Sequence, residues 1–153
     1  MSLRIVENTP SKFVLNQKIE AVFYRLNQLT GIADTLLHAV SNTQNTVVKE
    51  YALRFEIFTK QIRDVLTIIE PLKKQFEKDN NLVESYLLFV PFEALKVINE
   101  GMWQLENDGP NSSKVDLPHE EAFIASISGV TSMINEAVLT FESLINDQQK
   151  LAA

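Results

Sequence analysis

The stretch VKEYALRFEIFTKQIRDVLTIIEPLKKQF, Val48 to Phe76, decides how this chain folds. Val48, Phe55, Ile62, Ile69 and Phe76 recur every seven residues, and Tyr51, Phe58, Val65 and Leu72 form a second series between them. A helix turns once in about 3.6 residues, so the two series are the a and d positions of one apolar seam. Pro71 lies on the outer side of that seam. Its ring opposes the carbonyl four residues back, but the seam resumes at Leu72 and Phe76, which predicts a kink rather than an end.

The same pattern extends outward in both directions. Upstream, Leu15, Val22, Leu29 and Leu36 interleave with Ile19, Leu26, Ala33 and Val40. Thr9-Pro10 reads as the cap and first position of that helix, and SNTQNT, Ser41 to Thr46, ends it and caps the next. A third helix is expected from Asn81, with Glu84 completing a capping box, to about Leu105. The polar run ENDGPNSSKVD, Glu106 to Asp116, is a long loop. After it, LPHEE opens a fourth helix, which carries Phe123, Val130, Ala137 and Leu144 beside Ile127, Ile134 and Phe141.

No useful length of the chain alternates with period two, so strands are not expected. The expectation is an all-α, antiparallel, up-down-up-down four-helix bundle with a proline-kinked third helix. Its helices cover roughly 10–41, 46–78, 81–105 and 117–149 of a single domain, 1–153. No strong internal repeat accompanies the heptads.

Composition narrows the function classes. A content of 45% hydrophobic residues, nine phenylalanines among them, excludes a disordered chain. The net charge of −6 is a poor match for nucleic acid or an anionic membrane. That charge is uneven: +1 over residues 1–45, +2 over 46–78, −4 over 79–115 and −5 over 116–153. This asymmetry fits internal pairing or a basic partner. The absence of cysteine removes disulfides and thiol chemistry and suits a cytoplasmic setting. The opening residues show no secretory pattern, and no run is expected to approach the ~20 apolar residues of a membrane span.

Catalytic and metal-binding groups are few. His38 reads as a surface or boundary residue, and His119, beside Glu120 and Glu121, as part of a charged helix start. Di-iron bundles need Glu-x-x-His, but Thr35 and Asp116 stand three residues before the two histidines. Glycine-rich phosphate loops and a nucleophile elbow are absent. No metal site, cofactor or enzymatic activity is expected. Ser126, Gly129 and Ser132 read as small residues that let another helix come close, or as the floor of a polar groove.

The remaining hint of function is ESYLLFVPFEAL, Glu84 to Leu95. Further along, Glu93, Lys96, Glu100 and Gln104 make a polar stripe opposite a seam of Leu95, Ile98, Met102 and Leu105. Projected back through Pro91, that stripe meets Phe89, with Phe92 and Trp103 along its border. Either a kink turns each half inward, or Phe89, Phe92 and Trp103 stay outside the core as a partner surface. The function expected from this is non-catalytic protein–protein interaction, as a homodimer or small regulatory adaptor. The alternative is a bundle that binds a small apolar ligand between its helices.

Overall fold

The computed structural model describes residues 12–78 and 85–152. Four helices account for nearly all of them: α1 (Lys12–Ala39), α2 (Thr46–Lys78), α3 (Ser85–Asn107) and α4 (Pro118–Ala152). A 3₁₀ turn, Ser112–Lys114, lies in the α3–α4 connection, and no strand occurs among the described residues. The caps expected at Thr9-Pro10 and at Asn81 with Glu84 lie outside the described residues.

Local chemistry accounts for the visible helix ends. The Asn45 side-chain oxygen accepts hydrogen bonds from the Val47 and Val48 amides at 3.0 and 3.3 Å, satisfying two of the donors that a helix start leaves open. α4 starts with Pro118, which has no amide hydrogen to orphan, and the Glu120 and Glu121 amides both donate to the Leu117 carbonyl. α2 continues past Pro71, and α3 past Pro91.

Packing is cyclic. α1 lies against α2 and α4, and α3 against the same two helices. The heptad positions fill the space between them: Leu15 to Ala33 on α1, Val48 to Phe76 on α2 and Phe123 to Leu144 on α4 supply most of the buried apolar side chains. Phe123 sits at one centre of the core, edge-on to Tyr51 at 6.1 Å and to Phe55 at 5.9 Å. α4 is also long and apolar enough, by length and composition alone, to cross a membrane. Core helices of bundles pass the same test, and the seam of α4 is buried against its neighbours.

Two seam positions depart from the simple pattern. Leu36 and Phe58 are only half-buried, and Thr59 takes the inward place beside Phe58, its hydroxyl donating to the Phe55 carbonyl at 3.1 Å. A straight helix drifts about 20° per heptad against a strict seven-residue repeat, so a neighbouring position rotates inward. Phe58 instead lies over Gly101 of α3, where an added Cβ would stand 2.6 Å from the ring's Cζ.

The close approach is therefore at Gly101 and not at Gly129. Gly129 is exposed with open space around it, and Ser126 donates back to the Ala122 carbonyl at 2.7 Å. The expected helix contact along Ser126, Gly129 and Ser132 is corrected accordingly, because the inward stripe of α4 runs through Ile127, Val130 and Ile134. Gly31 is equally open. Replacing Gly31 and Gly129 with alanine should raise unfolding stability by up to about 1 kcal/mol each, from helix propensity alone. Gly101→Val should lower it by about 1–3 kcal/mol through overpacking against Phe58. Denaturant midpoints of the three variants check the opposite signs.

Candidate interaction surface on α3

On α3 the inward face is taken by Leu88, Pro91, Phe92, Leu95, Ile98, Met102 and Leu105, all buried. Their spacing of three and four residues keeps them on one stripe. Phe92 falls on that stripe, is 6% exposed, and meets Phe141 of α4 with ring centroids 5.7 Å apart. The Lys96 ammonium lies 5.3 Å from the centre of the same ring. Of the three aromatics singled out in the sequence, Phe92 is thus a core residue, while Phe89 is 38% and Trp103 61% exposed.

Other apolar side chains, which the sequence reading passed over, join the two exposed aromatics. Tyr86, Val90 and Val97 are all more than half exposed. At about 100° per residue they fall within some 40° of one another, with Phe89 at the border. The signal was present: Tyr86, Val90 and Val97 are spaced four and seven apart, the same arithmetic as a core stripe. α3 therefore carries apolar residues on two opposite faces.

Trp103 stands apart from this row, at the edge of α3 that faces α4. It borders a groove of about 630 Å³ whose other walls are Asn99, Glu100, Gln104 and Glu106 from α3 and Ser128, Thr131, Ser132 and Asn135 from α4. The Asn99 amide donates to the Asn135 side-chain oxygen at 3.3 Å across the two helices. No basic side chain lines the groove.

At one end of the bundle the connections are tied into the core. The Thr43 hydroxyl, itself buried, donates to the carboxylate of Glu120, which is only 1% exposed. Asn45 donates through its side-chain amide to the Lys114 carbonyl at 2.7 Å, which links the α1–α2 and α3–α4 connections. His38 and His119 flank the same cleft from its exposed rim. Among the described residues no group of three or more histidine, aspartate or glutamate side chains is arranged to hold a metal ion. PHEE is a charged helix start, as its sequence suggests, but one of its carboxylates, Glu120, is buried.

Tyr51 closes the contact between α2 and α3, its hydroxyl donating to the Leu105 carbonyl at 3.0 Å. Burial pushes its pKa up to about 12; the Glu106 and Asp108 carboxylates add to that rise and the Arg54 guanidinium opposes it. No known protein family, curated protein sequence or solved structure matches this chain.

The raised Tyr51 pKa has a defined sign for stability. The unfolded chain loses the phenol proton near pH 10 and the folded one near 12, so the contribution is fully present below about pH 10 and is lost as pH rises to about 12. Over that window the native protein should lose roughly 2–3 kcal/mol more unfolding free energy than Tyr51→Phe. Denaturation curves of both proteins across the window test this; identical pH slopes would contradict the assignment.

Proposed function

We propose that this chain is an up-down-up-down antiparallel bundle, bent in α3 at Pro91, that acts without catalysis by binding protein through the outer face of α3. The antiparallel order is supported by the run of paired positions. Lys18 pairs with Asp147, Arg25 lies 3.7 Å from Glu136, and Thr43 meets Glu120, so positions on α4 fall as those on α1 rise. The same inverse order relates Phe23 and Lys73 to Asp34 and Arg63 between α1 and α2. It also relates Phe92 and Phe141 to Asn99 and Asn135 between α3 and α4. The bend is supported by chemistry: the ring of Pro91 opposes the Leu87 carbonyl and removes one hydrogen bond from the ladder.

The observation that carries the functional reading is the exposed row of Tyr86, Phe89, Val90 and Val97 on a helix that already buries a complete inward stripe. Four partly exposed large side chains amount to a patch on the order of a few hundred Å², comparable to the largest apolar patch of a typical monomer, which is often a functional one. Aromatic residues anchor such surfaces. A second copy of the chain is the occupant to test first, since two such rows are self-complementary in an isologous contact.

Native mass and sedimentation on unheated material straight from expression give the direct test. We expect species heavier than the 17.4 kDa chain, shifting toward that mass in a Phe89→Asp, Val97→Asp variant that stays helical. A bare 17.4 kDa chain at every concentration, with nothing accompanying it, would remove this reading.

A further inference from the structure

Beyond the outer row, α3 presents a second kind of surface. Trp103 is the only tryptophan in the chain and is 61% exposed, although a residue of this size is highly buried on average. It borders a groove of about 630 Å³, within the ~300–1,000 Å³ range of ligand-sized pockets. The charges around it have one sign. Glu100 and Glu106 both line the groove, and among the described residues neither makes a salt bridge. The nearest cation along the helix, Lys96, is engaged with Glu93 at 3.7 Å and with the face of Phe92. Asp34, Asp108 and Asp147 have basic partners, whereas Glu20, Glu50, Asp64, Glu121 and Glu142, like Glu100 and Glu106, make no salt bridge among the described residues; of these seven only Glu100 and Glu106 line the groove beside Trp103.

An indole face with two uncompensated carboxylates is a cation receptor in its chemistry. The ring quadrupole attracts a positive charge over its face, and each carboxylate supplies an ionic acceptor. A guanidinium suits the arrangement better than an ammonium, because it is planar, stacks on an aromatic face and donates two parallel hydrogen bonds to one carboxylate. The neutral walls add acceptors for the backbone or flanking side chains of a peptide, through Gln104 and the Asn135 and Ser132 side chains.

We infer that the α3–α4 groove at Trp103 binds an arginine-bearing segment of a basic partner protein. One arginine stacks on Trp103 and pairs with Glu100 or Glu106, and the other carboxylate attracts the remaining positive charge of the segment. The complementary charge is written into the chain: residues 79–115 carry −4 and 116–153 carry −5, and these segments contain both walls of the groove. The site shares α3 with the row of Tyr86 to Val97 but does not depend on it. The two surfaces are therefore separable by mutation.

Because Trp103 is the sole tryptophan, intrinsic fluorescence reports the groove directly. The probe is a short end-blocked peptide containing several arginines, with a citrulline peptide of the same length as its uncharged counterpart. The expected result is a saturable shift of Trp103 emission with the arginine peptide, weakened at least tenfold when salt is raised from about 0.05 to 0.5 M. Glu100→Gln with Glu106→Gln should weaken binding at least tenfold. Glu20→Gln with Asp64→Asn changes net charge equally on α1 and α2 and should leave affinity within about twofold. Equal weakening by both pairs would mean diffuse attraction to an acidic protein and would overturn the site. An equal response to the citrulline peptide, or no response to arginine, would overturn it as well. Phe89→Asp with Val97→Asp should leave this titration unchanged even where it alters the native mass, so failure of the self-association reading and failure of this one are distinguishable.

Discussion

Each helix of a four-helix packing has one stripe that its two neighbours can cover, and that constraint governs the rest of this molecule. α1, α2 and α4 each bury one such seam, where each large apolar side chain contributes about 1.5–3 kcal/mol, and leave fewer large apolar residues outside it, Phe13 and Tyr24 on α1, Leu53, Ile57 and Ile68 on α2 and Leu139 on α4 among them. α3 satisfies the same demand with Leu88, Phe92, Leu95, Ile98, Met102 and Leu105 and then exceeds it. Its remaining apolar side chains have no place inside, because the inward positions are already filled. The outer row thus lies outside the inward stripe, and the proposed binding role rests on it.

The polar contacts follow from the same geometry. Where the seams of α1 and α4 run out, their next positions are Thr43 and Glu120, which meet in the interior as a hydroxyl and a carboxylate. A buried carboxylate without a donor is strongly unfavourable, so the pair fixes how the α1–α2 connection sits on the start of α4. Tyr51 does related work between α2 and α3: its ring packs on Phe123 while its hydroxyl satisfies a carbonyl in the last turns of α3.

Much of this was legible in the sequence, since heptad spacing places residues on a face without reference to their neighbours. Apart from Phe58, whose inward place Thr59 takes, every seam position read from spacing on α2 and α4 is buried. Extending the repeat by seven from Leu36 gives Thr43, and subtracting seven from Ile127 gives Glu120. Both buried polar residues were within reach of the pattern, and were overlooked because their chemistry suggested the surface. Phe92 was readable in the same way from Leu88 and Leu95. The identity of the tight glycine was not, because Gly31, Gly101 and Gly129 all interrupt helices, and only the position of Phe58 on another helix distinguishes Gly101. The groove at Trp103 was likewise hidden, since it is made where α3 and α4 meet rather than by either helix alone.

The central claim is that the outer row of α3 contributes to binding and not to folding. The most direct measurement is the denaturant-unfolding free energy of a Tyr86→Gln, Val90→Gln, Val97→Gln variant, beside Leu95→Ala as the core reference. The triple variant should stay within about 0.5 kcal/mol of the parent, while Leu95→Ala should lose about 2–5 kcal/mol. A loss in the triple variant as large as that of Leu95→Ala would show that the row belongs to the folding core, and would contradict the account.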